Sequence, residues 1–236
     1  MGVGASPRKR DNGEGSGAAT VPRRRGAARP APRAFAAKHE VRWRAVLDAA
    51  AAEFAARGFL GASTAAIARR LGLKQGSLYY YIPSKQRALE LVCQLSTEEM
   101  LGGLTEIVSR EGDPAEQLRR AIGFHMEWLG GRRDYCLTFL RERRHVAGPA
   151  GRLLADTARR YERLFEQIIR AGVARRRFRA DCSPAQAAFA TLAVANAMSL
   201  RAHRHGAALP PATARWIADM ALTGLLRESQ ARAAKS

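Results

Sequence analysis

Two short helical patterns separated by a glycine lie within residues 58–85, GFLGASTAAIARRLGLKQGSLYYYIPSK. The first pattern starts at Ser63, a residue type that caps helix N-termini, and Gly72 ends it. The second runs to Ile82, because Pro83 cannot continue a helix. Neither helix is long enough to be stable by itself, so both must pack against a neighbouring helix. The pattern is typical of a helix-turn-helix, in which the second helix enters the major groove of DNA.

A longer helical pattern precedes this pair and supplies the surface on which it packs. From Val41 onward apolar residues recur at helical spacing, and Gly58 is expected to end the helix. The spaced apolar residues are Val46, Leu47, Ala50 and Phe54. We therefore predict a three-helix DNA-binding head over residues 38–83.

Helical patterns continue through residues 84–236, where proline and glycine mark most of the expected helix ends. Asp113-Pro114 and Ser183-Pro184 each place a capping residue before a proline that suits a first helical turn. The expected helices are a linking helix from Ser84, then 113–129, 135–146, a long helix from Pro149, 183–203 and 210–226. Ala and Leu dominate and strand-forming runs are scarce, so we predict an all-α protein of about nine helices, with a helical bundle following the head.

Residues 1–37 are rich in Gly, Ala, Pro, Ser and Arg. Such a segment cannot bury enough apolar surface to offset the entropy of ordering, so we predict a disordered basic arm. The net charge of +19 divides into +6 over residues 1–41, +5 over 42–92 and +8 over 93–236. The denser charge of the first two segments favours DNA at the N-terminal end, although a biased genomic composition would also produce 35 Arg among 40 basic residues. The arm either adds phosphate contacts or is an inert tail.

The segment from Arg44 to Val92 resembles the DNA-binding head of the TetR family of bacterial transcriptional repressors. The matching elements are AVLDAAAAEFAARGF, the IARRLGL turn and GSLYYYIPSKQRALELV, in order and at the family's spacing. The resemblance implies a homodimer that holds a palindromic operator, with the third helix of each head in the major groove. A ligand-binding bundle would then control release of the DNA.

The same resemblance implies which side chains meet DNA. Gln75 and Lys74 would reach base edges, where Gln pairs with adenine and Lys donates to guanine. Tyr80 is expected to face phosphate, while Tyr79 and Tyr81 divide between base contact and packing; Lys85 is expected to anchor a phosphate. The full set of expected DNA-binding residues is Ser63, Thr64, Lys74, Gln75, Gly76, Ser77, Tyr79, Tyr80, Tyr81 and Lys85.

Two departures from the family pattern bear on this interface. Lys74 stands where the family often has a serine that caps the recognition helix, so that cap is lost or moved. Ala65 stands where some relatives have a base-reading side chain. Base reading therefore depends on the third helix, either alone or together with the basic arm.

The last two helices imply a dimer interface, since the corresponding pair forms a four-helix contact between two subunits in the family. One recognition helix reads few bases, and two heads one helical turn apart extend that readout. The expected interface residues are Phe189, Leu192, Ala193, Asn196, Leu200, Trp216, Met220 and Leu225.

Aromatic residues in the middle of the bundle are candidates for a ligand cavity, or are simply core. The candidate ligand-binding residues are Phe124, His125, Trp128, Tyr135, Phe139, Arg143, Tyr161 and Phe165. FLRERRHV, followed by ARRYERLFEQIIRAGV, is similar to family members that control lipid or sterol breakdown and sense acyl-CoA esters. The arginines of the first run either bind CoA phosphates or form a solvated face.

Other classes of protein find little support in the sequence. No phosphate loop, nucleophile elbow or carboxylate pair indicates an enzyme, and no cofactor is implied. His203 and His205 do not share a helix face, so a metal site is not expected. The three cysteines are scattered and no apolar run spans a bilayer, so we expect a cytoplasmic protein that does not meet membranes. An activator and a non-specific DNA-coating protein stay open as alternatives.

Overall fold

A computed structural model describes residues 32–226, and all regular secondary structure in that range is helical except for one isolated bridge between Phe178 and Leu226. The nine helices of this range are α1 Pro32–Gly61, α2 Thr64–Arg70, α3 Gln75–Tyr79, α4 Lys85–Ser109, α5 Pro114–Gly131, α6 Arg133–Glu142, α7 Gly148–Ala174, α8 Pro184–Arg204 and α9 Pro211–Leu225. A 3₁₀ turn, Arg143–His145, joins α6 to α7. The predicted all-α architecture of about nine helices is confirmed.

The first helix begins earlier than the sequence predicts. It starts at Pro32, inside the expected arm of residues 1–37, and the rest of that arm lies outside the described residues. Proline suits the first turn of a helix and alanine favours its continuation. At its other end the helix kinks at Gly58, where φ is +69°, and one further turn extends to Gly61. Gly58 was expected as the end of the helix and is instead the kink.

The bundle differs from expectation around α6. Gly130 and Gly131 do not break α5 as predicted; the helix includes both and ends when the amide of Arg132 donates to the Trp128 carbonyl. Glycine costs only about 1 kcal/mol in a helix, and the burial of neighbouring Leu129 offsets this cost. The following helix ends at Glu142, rather than at Val146, because the 3₁₀ turn replaces its last residues.

Two hydrophobic clusters form the interior, and α6 contributes to both. Phe54, Ile67 and Leu78 belong to the head cluster, which also includes Phe139 of α6. Cys136, one turn earlier on α6, belongs to the bundle cluster. This helix therefore links the DNA-binding head with the interior of the bundle. No helix among residues 32–226 combines the length and the apolar character needed to cross a bilayer.

Candidate nucleic-acid interface and ligand cavity

The turn between α2 and α3 is fixed by a glycine in the left-handed region. Gly72 has φ of +63°, and its amide donates to the Arg69 carbonyl at 3.1 Å. The Leu73 amide donates to the Ala68 carbonyl at 2.9 Å, which completes a Schellman motif. A side chain at Gly72 would strain this conformation, so the glycine sets the angle at which α3 leaves α2.

The N-terminus of α2 is capped as predicted. The Ser63 hydroxyl oxygen accepts a hydrogen bond from the Ala66 amide at 3.1 Å. Its own hydrogen and the neighbouring amides at the helix start are the groups that an approaching phosphate would meet. Thr64, the first residue of the helix, is half-buried and directed toward α3 through its contact with Gln75.

Gln75 is held by a cluster that joins the two helices of the motif. Its Nε2 atom donates to the Thr64 hydroxyl at 2.9 Å and to the Tyr79 hydroxyl at 3.2 Å. These hydrogen bonds, from Thr64 first and Gln75 second, lower the pKa of Tyr79. The amide of Gln75 is therefore positioned before any DNA arrives, and its side chain lies on an exposed surface.

Lys74, Gly76 and Ser77 are also exposed, as are Tyr79 and Tyr80. Lys74 occupies the N-cap position of α3 and gives no side-chain cap, which confirms that the usual capping serine is lost here. Its ammonium is available for base or phosphate contacts.

The three tyrosines separate into different surroundings. Tyr80 is the most open of them, with 68% of its surface exposed. Tyr81 is half-buried, and its ring packs against His39 of α1 at 5.4 Å between centroids. Tyr80 also touches His39, edge-on at 5.6 Å. The N-terminal half of α1 thus supports the end of the recognition segment.

Lys85 has an intramolecular role that the sequence did not indicate. Its Nζ atom donates to the Phe59 carbonyl at 2.9 Å and to the Ala62 carbonyl at 3.0 Å, and it lies 4.6 Å from the centre of the Phe59 ring. The resemblance implied a phosphate anchor, whereas in the structure two of the three ammonium hydrogens are donated to the last turn of α1 and to Ala62 just after it. These contacts tie the start of α4 to the head.

The same junction contains a buried acid that sequence analysis missed. Glu142, at the end of α6, accepts a hydrogen bond from the Phe59 amide at 3.0 Å. The ring of His145 stacks on Phe59 at 5.3 Å, and its Nε2 lies 3.7 Å from Glu142 Oε2. The charged run RERRH does not indicate that its acid is buried. Glu142 finds its partner only because the kink at Gly58 brings the Phe59 amide within hydrogen-bonding distance of its carboxylate.

A cavity of about 190 Å³ lies in the bundle. Five of the eight predicted ligand-binding residues line it, namely His125, Trp128, Phe139, Arg143 and Tyr161. The remaining lining residues are Thr97, Met100, Leu129, Cys136, Leu140, Thr157, Ala158, Glu162, Phe189, Leu192, Ala193 and Asn196. The cavity therefore collects side chains from α4 through α8.

Three predicted ligand-binding residues are packing residues instead. Phe124 lies so close to Gly103 that a side chain there would meet its ring at 2.3 Å. Tyr135 belongs to the head cluster, and its hydroxyl donates to Asp48 at 2.9 Å. Phe165 is fully buried behind the cavity wall, where its ring packs on Tyr161. Their aromatic character alone did not distinguish core from cavity.

His125 is the most buried polar group of the cavity wall. Its Nδ1 lies 3.0 Å from the Tyr161 hydroxyl and its Nε2 lies 3.2 Å from Asn196 Oδ1. Burial lowers the pKa of His125 to about 4, so the ring is neutral at physiological pH. A carbonyl oxygen cannot donate, so Nε2 carries the hydrogen and Nδ1 accepts from Tyr161.

The predicted dimer-interface residues divide between the surface and the interior. Trp216 and Met220 are exposed on α9, and Phe189 is 63% exposed on α8. Four of the eight, namely Phe189, Leu192, Ala193 and Asn196, line the ligand cavity. Leu225 is only 5% exposed and packs in the bundle cluster of its own chain, so little of its surface is left for a partner subunit. Leu200 borders a separate surface cleft beside His203.

Comparison with known proteins agrees with this architecture. Residues 46–90 match the family described as bacterial regulatory proteins, tetR family, and residues 111–225 match the tetracyclin repressor-like C-terminal domain. The HTH-type transcriptional repressor KstR2 of Rhodococcus jostii (strain RHA1) is 26% identical over 137 residues, which cover 58% of this chain and 67% of that protein.

Solved structures show the same fold. The TetR family transcriptional regulator PfmR from Thermus thermophilus superposes with a TM-score of 0.70 at 26% identity, covering 77% of this chain and 99% of that chain. AibR in complex with isovaleryl coenzyme A and operator DNA superposes with a TM-score of 0.65 at 21% identity, covering 78% and 98%. The two family matches together span most of the sequence, and the chain belongs to the TetR family of transcriptional regulators.

Proposed function

We propose that this protein is a ligand-responsive repressor that binds a palindromic operator as a homodimer and is released by an acyl-CoA ester. The observation that carries the proposal is the combination of an exposed, pre-positioned recognition segment with a cavity in the bundle, the two joined through α6. A helix that belongs to both hydrophobic clusters gives a ligand a physical route to the head.

DNA binding is supported by the surface around α3. Lys74, Gln75 and Tyr80 are exposed there, and Gln75 is oriented by Thr64 and Tyr79. On binding adenine, the Gln75 amide would exchange these partners for base atoms, so its position is prepared at little entropic cost.

Dimerisation is supported by apolar side chains exposed on the last two helices. Phe189, Trp216 and Met220 are large apolar residues that a monomer would leave in water. Phe189 belongs to this exposed apolar face and also lines the cavity. Two copies that bury the face against each other would therefore also cover the cavity at Phe189.

An acyl-CoA effector is supported by the chemistry of the cavity and by one relative. The wall is largely apolar, and Arg143 lies at its exposed edge with its guanidinium 5.0 Å above the Phe139 ring. Arginine is well suited to phosphate groups that remain outside an apolar cavity. AibR, which shares this fold, is described with isovaleryl coenzyme A and operator DNA bound.

Selection of DNA from a random pool with the purified full chain tests the proposal. We expect an enriched palindrome with two half-sites about 10 base pairs apart, centre to centre. Gln75→Ala should relax the preference at one or two base positions per half-site, equivalent to about 1–3 kcal/mol of lost discrimination. Gln167→Ala, which changes an exposed glutamine on α7, is the matched control and should keep the wild-type preference.

The outcome separates the proposal from its alternatives. A coating protein would enrich no palindrome, and a Gln75→Ala variant with unchanged selectivity would refute the base-reading role. A reporter gene under the selected site distinguishes repression from activation, because a repressor lowers expression until the ester is added.

A further inference from the structure

Three side chains at the start of the recognition segment form a closed set of hydrogen bonds. Gln75 and Tyr79 are four residues apart, so they share one face of α3. Gln75 Nε2 donates to the Thr64 hydroxyl at 2.9 Å and to the Tyr79 hydroxyl at 3.2 Å, and the two hydroxyl oxygens lie 3.4 Å apart. Because Thr64 is the first residue of α2, the set joins both helices of the motif.

These hydrogen bonds determine which atoms of Gln75 and Tyr79 remain for DNA. The Gln75 amide nitrogen is directed to the two hydroxyls, whereas its Oε1 atom accepts no hydrogen bond within residues 32–226. The pKa of Tyr79 is lowered by Thr64 first and Gln75 second, as expected when both donate to the phenol oxygen. The Tyr79 hydrogen is then left to turn toward another acceptor.

The exposed face of α3 therefore presents an acceptor, Gln75 Oε1, beside a donor, the Tyr79 hydroxyl. The four bases differ in what they offer in the major groove. Adenine offers an amino hydrogen at N6 next to the N7 acceptor, whereas guanine offers two acceptors, thymine an acceptor and a methyl group, and cytosine a donor alone. Adenine is the base that complements both groups.

We propose that Gln75 and Tyr79 read one adenine together, with Gln75 Oε1 accepting from N6 and the Tyr79 hydroxyl donating to N7, while Thr64 holds Gln75 in this orientation. This inference rests on the proposed operator binding and specifies how one base is read. Thr64 is a positioning residue, since its half-buried side chain contacts Gln75. Gln75 keeps its hydroxyl partners in this mode; in the alternative it exchanges them and covers N6 and N7 alone.

Base analogues test the two contacts one atom at a time. The full chain is titrated, by fluorescence anisotropy, with the selected operator and with copies modified in one half-site at the adenine whose preference Gln75→Ala relaxes. 7-Deazaadenine lacks the N7 acceptor, and purine lacks the N6 amino group. We expect each analogue to weaken binding of the wild type about fivefold, because each removes one hydrogen bond.

Variants of the recognition segment assign each contact to a side chain. In Tyr79→Phe the 7-deazaadenine site should bind as tightly as the adenine site, while the loss with purine persists. In Gln75→Ala the loss with purine should disappear. Tyr80→Phe is the matched control, because it removes the hydroxyl of the next, more exposed tyrosine and keeps the ring. This control should retain both losses.

The role of Thr64 is tested through its hydroxyl. Thr64→Val removes the hydroxyl at nearly the same side-chain volume and should reduce the preference for adenine over guanine about threefold. Thr64→Ser restores the hydroxyl and should restore the preference. A loss in Thr64→Val that is equal for all bases would overturn the positioning role, because a phosphate contact or a purely structural contact does not distinguish bases.

The results separate this inference from the proposed function. A base other than adenine at the position that Gln75 controls, or no relaxed position at all, overturns the paired reading. If the loss with 7-deazaadenine persists in Tyr79→Phe and disappears in Gln75→Ala, Gln75 reads adenine alone, and the inference fails while operator binding stands. If a single half-site is selected in place of a palindrome and the analogue pattern is seen, the inference stands and the dimeric operator fails.

Discussion

The DNA-binding head and the ligand-binding bundle are both helical, yet the sequence predicts the functional residues of the head better than those of the bundle. The expected DNA contacts depend on residues at helix starts and turns, and the structure places Ser63, Gln75 and Tyr80 at the surface as local patterns indicate. The cavity forms where the faces of five helices, α4 to α8, do not pack closely against one another. Functional groups set by local backbone geometry can be read along the chain, whereas a cavity is a property of packing.

The largest expected effect concerns the buried histidine of the bundle. Its pKa is lowered to about 4 in the folded protein, below the ordinary value of 6.5, because burial disfavours the charged ring. Between pH 4 and pH 6.5 the His125 ring is protonated in the unfolded chain but stays neutral in the folded chain. The full contribution is therefore present above pH 6.5 and is lost as the pH falls toward 4, by about 3 kcal/mol in total.

Urea unfolding across this pH range measures the effect. His125→Phe should flatten the dependence of the free energy of unfolding on pH, while His205→Gln, at an exposed position, should leave it as in the wild type. An unchanged slope in His125→Phe would show that this ring does not titrate below its ordinary range, and would weaken the contrast between the neutral buried side of the cavity and a charged head.

A smaller effect is expected at the junction of the two regions. Glu142→Ala removes the acceptor of the Phe59 amide and should lower the free energy of unfolding by about 2 kcal/mol. Glu142→Gln keeps an acceptor and should lose less. Glu127→Ala, at an exposed position on α5, is the control and should change stability little. Equal stabilities of all three variants, measured by urea unfolding, would mean that the junction contact adds nothing.

The smallest expected effect distinguishes two lysines of the head. Lys85→Ala removes two hydrogen bonds to carbonyls and should lower the free energy of unfolding by about 1 kcal/mol. Lys74→Ala, at an exposed position, should leave stability unchanged and weaken operator binding. Thermal unfolding and a DNA titration of both variants check this. A stable Lys85→Ala variant whose affinity falls uniformly across DNA sequences would instead restore the phosphate role.

The sequence predicted the helices of the bundle more accurately than their ends or their contacts. Prolines 114, 184 and 211 mark true helix starts because proline is tolerated in the first turn. The Gly130-Gly131 pair led to the wrong prediction that α5 ends before it, since glycine permits a helix break but does not require one. Phe165 and Phe139 look alike in sequence and both are buried, and only the packing of the helices decides that Phe139 also lines the cavity whereas Phe165 does not.

The sequence by itself determined the class of this protein. Capping residues, Gly72 and Pro83 specify a helix-turn-helix through backbone conformations that depend on neighbouring residues only. Tertiary structure alone decided the roles of Lys85, Glu142 and Asn196. In the sequence, Lys85 is a cation expected at the surface, Glu142 is one acid in a charged run, and Asn196 is an expected interface residue. Their partners lie more than twenty residues away, at Phe59 and His125. Such contacts form only when the helices are packed, because a side chain's partner is set by distance in space rather than by separation along the chain.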